Sequence, residues 1–377
     1  MTPRREAARP RLDDAQRLAW LRLIRSENVG PISFRALINR YGGAEAALEA
    51  LPDLAARGGS KRRIRIAEKA AAEAELARAE RLGARFLFQG EADYPPILLA
   101  TEAAPPVLAI MGDPAVLARP TLAVVGARNA SLSGVKLTRQ LVAEIGAAGF
   151  VIVSGLARGI DAAAHEAAIS TGTAGVFAGG LDKPYPKENG PLMRRIVDGG
   201  GCLLSEMPFG WEPRAVDFPR RNRIVAALAH GLLVVEAALR SGSLISARLA
   251  GEMGRLVFAV PGSPLDPRAG GTNKLLKDGA LIVTEGKDVI DALRPLDSRM
   301  EPGFAASQGA EGSFLGDGPS EGERGRILEA LGTAPAALDD LIAHTGASPA
   351  ALQLVLLELD LAGRLERHRG GYVSLVF

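Results

Sequence analysis

Between residues 86 and 294, seven short apolar runs recur, each separated from the next by a stretch long enough for a helix. They occupy residues 122–125, 150–153, 174–177, 202–204, 232–235, 256–260 and 280–283. A strand with one wet face alternates polar and apolar residues; these runs are nearly continuous, as expected of strands buried on both faces. Buried strands joined by right-handed helical crossovers make a doubly wound α/β sheet. The pattern therefore predicts a Rossmann-like core with a mostly parallel sheet over residues 85–295.

The flanks follow other periods. In residues 1–84, Leu18, Leu21 and Ile24, then Phe34, Leu37, Ile38 and Tyr41, keep helical spacing. Between them Asn28-Val29-Gly30-Pro31 forms a turn in which Pro31 opens the next helix. A second turn, Arg57-Gly58-Gly59-Ser60-Lys61, leads into an Ala-, Glu- and Arg-rich helix ending near residue 82. Residues 296–322 are rich in Gly, Ser and Glu without apolar period, and a flexible linker is expected. Residues 323–377 hold helical segments at 324–332, 336–344 and 348–362, then two short strands turning at Gly370-Gly371, the pattern of a winged helix. Its recognition helix is expected at 348–362. The polar positions there are Gln353, Glu358 and Asp360, a poor face for a DNA groove. Partner binding, or weak DNA contact through Arg364, Arg367 and Arg369, is the better expectation.

Composition removes several classes. A net charge of only +2 means that any nucleic-acid role rests on local clusters of Arg and Lys. The single cysteine, Cys202, excludes an intramolecular disulfide and a cysteine-based zinc site. No stretch approaches the ~18 apolar residues of a membrane span. The start, with Arg4, Arg5, Arg9 and Arg11, lacks the apolar segment of a secretory signal. A reduced, soluble, cytoplasmic protein is expected.

In an open parallel sheet, ligands bind beyond the carboxyl ends of the strands. The loops there read Gly126-Ala127-Arg128-Asn129, Ser154 through Asp161, Gly179 through Asn189, Glu236 into Arg240-Ser241-Gly242-Ser243, and Pro261-Gly262-Ser263. Glycines admit close backbone approach, helix starts offer N–H groups to anions, and several loops add Arg or Lys. One such loop alone is turn geometry. Four or five along one edge describe a phosphate-binding groove. The first loop lacks the glycines of G-x-G-x-x-G, and neither a P-loop nor H-E-x-x-H occurs. Asp161 and His165 stand four apart at a helix start, where Asp161 is expected as a cap. Glu206 and Glu236 have no evident partner. Binding without catalysis is the reading.

The strings VVGARNASLSG, SGLARGIDAAAHEAA, GGLDKPYPKENGPL, LLSEMPFGWEP, DFPRRNRIVAALA, VVEAALRSGSLISARLAGEMGRLVFAVPG and GGTNKLLKDGA resemble, in order, the core motifs of the DprA/Smf family. The resemblance implies a homodimer without required cofactor that binds and protects single-stranded DNA and helps load the RecA recombinase in natural transformation. It also implies a sterile-alpha-motif-like (helix–hairpin–helix-related) N-terminal domain and an accessory winged helix. Carried onto this chain, the family's DNA pocket takes Arg128 and Lys187 as the leading phosphate partners, followed by Arg158, Arg221 and Arg223. Gly126 and Gly155 let the backbone approach. Asn222 is equally read as structural, and Ser241, Gly242 and Ser243 suit an anion nest. The dimer surface is expected near Leu275, Leu276 and Ile282, residues equally suited to a buried core.

The competing reading is a nucleotide or nucleoside phosphoribohydrolase on a related core. Such enzymes carry P-G-G-x-G-T-x-x-E, where this chain has Val235-Glu236-Ala237 followed by SGSLISA.

Overall fold

The computed structural model describes residues 11–297 and 319–376, so Arg4, Arg5, Arg9 and most of the expected linker lie outside the described residues. The chain divides into two compact units, one of residues 75–297 and one of residues 12–74 with 319–376.

Four helices come first: α1 (Asp14–Arg25), α2 (Pro31–Tyr41), α3 (Ala44–Arg57) and α4 (Lys69–Arg81). Asp13 caps α1 in a capping box with Gln16, and Pro31 opens α2 as the sequence predicts. The next unit contains β1 (Ala84–Phe88), α5 (Pro96–Leu99), β2 (Val107–Gly112), β3 (Thr121–Val125), α6 (Leu132–Ala147), β4 (Val151–Ser154), α7 (Ile160–Ala168) and β5 (Thr173–Val176). It continues through α8 (Gly190–Asp198), β6 (Cys202–Ser205), α9 (Asp217–Ala227), β7 (Gly231–Val234), α10 (Ser243–Glu252), β8 (Leu256–Ala259), α11 (Gly270–Lys277), β9 (Leu281–Ile282) and α12 (Gly286–Asp297).

All seven apolar runs are strands of one nine-stranded sheet ordered β1-β2-β6-β5-β4-β3-β7-β8-β9. From β6 to β9 every pairing is parallel; β1 and β2 add an antiparallel edge that the sequence reading did not name. Successive strand residues point to opposite faces. Ala123 and Val125 accordingly enter one core and Leu122 and Val124 the other, all buried. Burial of each Val or Leu contributes about 1.5–3 kcal/mol, which is why the runs cannot tolerate a polar alternation. At the far edge β9 stays open, with Leu281 42% and Ile282 57% exposed. Leu275 and Leu276 are half-buried.

The second unit joins segments far apart in sequence. The winged helix comprises α13 (Glu321–Ala330), β10 (Ala336–Ala337), α14 (Leu338–Thr345), α15 (Pro349–Leu361), β11 (Leu365–Arg367) and β12 (Tyr372–Leu375), with positive φ at Gly370 and Gly371 turning the wing. The expected recognition helix, α15, does not face solvent. Its Leu354, Leu357 and Leu361 complete the core formed by Leu23, Phe34, Leu37 and Leu51 of the N-terminal helices. Its other side, with Leu352, Val355 and Leu356, fills the winged helix itself. A helix apolar on all sides must be buried on all sides. Polar contacts close the seam: Asn28 Nδ2 donates to Leu361 O (3.0 Å), Ser33 Oγ to Asp360 (2.8 Å) and Arg364 Nη1 to Gly58 O (3.1 Å). Arg324 pairs with the fully buried Glu358, and Arg367 with Asp360 at 3.2 Å. Arg364 and Arg367, expected as DNA contacts, are thus occupied, and the Arg369 side chain lies outside the described residues. The partner of α15 is the chain's own N-terminal domain.

Leu357→Ala should cost about 2–5 kcal/mol through the cavity it leaves. Hydrogen exchange should show protection falling together in α1–α3 and α13–α15; loss confined to the C-terminal helices would contradict the shared core.

Candidate nucleic-acid interface

Strands β5, β4 and β3 are neighbours and end at one edge. Each leads into a loop bearing an exposed cation: Lys187, Arg158 and Arg128 in turn. Strands lie about 4.8 Å apart, so the sheet itself sets these loops side by side. Gly159 lets two of them touch. At φ 74° its backbone passes so close to the carbonyl groups of Ala127 and Arg128 that a β-carbon would collide with them, and Ile160 N donates to Ala127 O at 3.2 Å. Gly126 is restricted likewise, by the Ile160 side chain.

The third loop is latched to the second. Asn189 Nδ2 donates to Leu156 O (2.8 Å) and Ala157 O (3.3 Å). Leu156 holds a left-handed φ of 59°, strain of order 1–3 kcal/mol that its fully buried side chain and this latch sustain. Arg158 pairs with Glu188 at 2.6 Å. Both side chains are mostly exposed, so the pair is weak and open to exchange. The Glu188 carboxyl is held below its ordinary value by its own backbone N–H and then by Arg158.

Two aromatic rings join the outer loops. Arg128 lies 5.1 Å from the centroid of the Phe218 ring, and Tyr185 packs edge-on against Phe218 at 5.5 Å. Tyr185 is 52% exposed. A guanidinium and two rings thus form a continuous strip, and Lys187 stands exposed on the same loop two residues beyond Tyr185. Among the described residues no carboxylate pairs with Arg128 or Lys187. Neither ring was singled out in the sequence, although both stand in its motif strings and aromatics make up only 5% of the chain. Tyr185 beside Lys187, and Phe218 one turn before the Arg cluster of α9, were the available signal.

Several expected site residues are placed elsewhere. Arg221 is buried, not in the groove: its Nη1 reaches Val176 O (3.4 Å), and its guanidinium fills the space where a β-carbon on Gly155 would stand. Gly155 is therefore required by packing against Arg221. Asp161 does not cap its own helix. Its carboxylate accepts from the amides of Gly155 (3.2 Å) and Ala157 (3.3 Å), holding the preceding loop. Burial drives the Asp161 carboxyl upward, and Arg221 opposes that shift. His165 does not meet Asp161; its Nδ1 lies 2.7 Å from Thr173 Oγ1. Burial, reinforced by Arg221, pushes the imidazole down to about 3. Arg223 is engaged by Glu206 and the Ala103 carbonyl. Asn222 reaches Gly242 O at 3.5 Å, the structural role. Two amides of the serine nest are engaged within the chain: Ser241 N donates to Ala238 O and Ser243 N to Ser241 Oγ, whose oxygen lies 2.6 Å from Ser243 Oγ. Glu236 has partners after all, accepting from Ser131 N (2.9 Å) and Ser131 Oγ at the start of α6. Among the described residues no cluster could hold a metal ion, and no helix is long and apolar enough to cross a membrane.

Fold and edge together define a doubly wound α/β protein with an open, cation-lined carboxyl edge. Residues 85–294 match the family described as DNA recombination-mediator protein A, residues 14–78 the DprA-like N-terminal HHH domain and residues 317–371 the DprA winged helix domain. The chain belongs to the DNA recombination-mediator protein A family. It is 38% identical to Protein Smf of Escherichia coli over 288 residues, 75% of either chain. Among solved structures it is similar to DNA processing protein A of Streptococcus pneumoniae, with TM-score 0.60 and 35% identity over 72% of this chain and 95% of that one. The protein of the same name from Helicobacter pylori, described for its single-stranded DNA binding mode, aligns with TM-score 0.52 and 31% identity over 57% of this chain and 96% of that one.

His165 is neutral when folded yet protonates below its ordinary 6.5 when unfolded. Its contribution to stability is complete above pH 6.5 and is lost progressively toward pH 3. His165→Gln should flatten the acid limb of the stability–pH curve by up to about 1.4 kcal/mol per pH unit below roughly pH 6. Denaturant midpoints across that range check it; parallel curves would mean that the imidazole is solvated.

Proposed function

We propose that the carboxyl edge of the sheet binds single-stranded DNA, with Arg128 and Lys187 as the central phosphate clamp and Arg158 released from Glu188 to assist. The observation that carries this reading is the strip from Arg128 over Phe218 to Tyr185, on the loop that also bears the exposed Lys187. Unpaired bases stack on exposed rings, each stacked base contributing about 1–3 kcal/mol, while fixed cations hold the backbone. A duplex keeps its bases stacked inside and makes no use of the rings. The Helicobacter pylori relative's single-stranded DNA binding supports the same ligand here.

On this reading the protein is a cytoplasmic, cofactor-free binding protein that protects single strands and passes them to the RecA recombinase during natural transformation. It acts as a homodimer through the core, where the open edge of β9 offers Leu281 and Ile282. The phosphoribohydrolase reading is disfavoured by Glu236. Its carboxylate already fills the amino end of α6, a position where a nucleotide phosphate would otherwise be held.

The doubly substituted Arg128→Ala/Lys187→Ala protein should bind single strands more weakly at low salt. Its log–log salt dependence should flatten by about 0.7 for each phosphate that is no longer neutralised. Affinity measured over a salt series, with a thermal melt as control, tests this; a stably folded variant with unchanged affinity and slope would remove the clamp. Phe218→Ala should weaken single-strand binding without changing the slope.

Ile282 is exposed, so Ile282→Arg should fold normally and yield a monomer by light scattering. A folded variant of unchanged mass would place the dimer interface elsewhere.

A further inference from the structure

Two elements of the second unit are of a kind that contacts DNA; the helix is covered and the hairpin is partly engaged. The hairpin turn at Asn28–Pro31 has Val29 buried and Asn28 bonded to Leu361 O. Ser33, in the first turn of α2, donates to Asp360, which sets a carboxylate of the winged helix beside that helix start. Helix α15 is buried on both of its apolar sides. The recognition helix is therefore not free to meet a nucleic acid, and the hairpin is partly engaged by it.

What stays exposed is the segment between α3 and α4. From residue 54 to 72 six Lys and Arg stand against one carboxylate, Glu68. Such a run is ordinarily a mobile, solvated face. Here its backbone is pinned: Glu27 N donates to Arg65 O (2.9 Å), Arg65 N to Glu27 Oε2 (3.1 Å) and Ala67 N to Ser26 Oγ (3.1 Å). Ile64 is buried between the exposed Arg63 and Arg65, the in–out alternation of extended chain. Arg63 and Arg65, two residues of extended chain apart, are spaced by about 6.6 Å along the backbone, comparable with the separation of neighbouring phosphates along one strand, and Lys61 precedes them across a bend at residues 61–62. Arg62 is held by Glu27, whereas among the described residues no carboxylate pairs with Lys61 or Arg63. The backbone anchored at Arg65 and Ala67, with Ile64 buried, distinguishes the segment from a floppy basic tail, since part of the ordering cost is met before binding.

We propose that Lys61, Arg63 and Arg65 form a second nucleic-acid site, which holds the phosphate backbone without reading bases. It lies in the second unit and does not depend on the groove reading. The test uses the full-length chain with oligothymidylate and with a duplex of equal length, each over a salt series. For Lys61→Gln/Arg63→Gln/Arg65→Gln the log–log slope should fall by about 2 on the single strand or about 2.7 on the duplex. The probe that responds identifies the strand form. If this variant melts below the unaltered protein, Lys61→Gln/Arg63→Gln carries the test, with a fall of about 1.4 or 1.8. Unchanged slopes on both probes in a folded variant would overturn the proposal. So would a weakening seen only with phosphatidylserine vesicles. Repeating the series on the Arg128→Ala/Lys187→Ala background separates the two sites: failure of the groove leaves the triple variant's effect intact, and the converse holds equally.

Discussion

Two opposite charges buried beneath the carboxyl edge, Asp161 and Arg221, hold the candidate site in shape. Asp161 gathers the amides of Gly155 and Ala157, and Arg221 reaches the end of β5 at Val176 while filling the space beside Gly155. Burial penalises both charges, and each offsets part of that penalty for the other through space. The loop from Ser154 to Gly159 is thereby referenced to two strands and one helix at once. Arg158, Leu156 and the Asn189 latch inherit their positions from it. The outward Arg158 is consequently placed by buried groups beneath it.

The surface built on that frame is sparing. A net charge of +2 leaves no general attraction for polyanions, so the local arrangement of a few unpaired cations has to supply it. Phosphate contacts position a strand but carry no base identity. The Tyr185–Phe218 pair adds what cations alone cannot, a partly exposed aromatic surface beside Arg128. The weak Arg158–Glu188 pair keeps a third cation ordered in the free protein. Breaking that pair would cost little, because exposed pairs contribute about 0–1 kcal/mol.

The flanking domains follow a different logic. Segments more than 250 residues apart, exemplified by Gly58 and Arg364, meet in one core. The winged helix gives up its usual reading face to close that core, and the buried Glu358 with Arg324 seals the joint. An apolar α15 was already visible in Leu352, Leu354, Val355, Leu356, Leu357, Leu359 and Leu361, which leave no wet face. What that run could not name was its partner, because hydrophobic burial is non-directional.

How much could be read from the chain depended on the range of the physics involved. Strand and helix periods are local, so the seven apolar runs, Pro31 at the start of α2 and the Gly370-Gly371 turn were legible in the sequence by itself, as was the doubly wound core. The antiparallel β2 was overlooked although its Val107–Gly112 run is as apolar as the others. Loop cations at strand ends were legible for the same reason: the sheet dictates where Arg128, Arg158 and Lys187 emerge. Only the tertiary structure decided which arginines of the FPRRNR string face inward. That depends on a counter-charge, Asp161, sixty residues away in the chain, and on space left by Gly155. It likewise decided that Glu236 caps α6, that Phe218 lies under Arg128, and that α15 belongs to the N-terminal helices. Desolvation and ring packing act between neighbours in space, and a linear pattern does not say who those neighbours are.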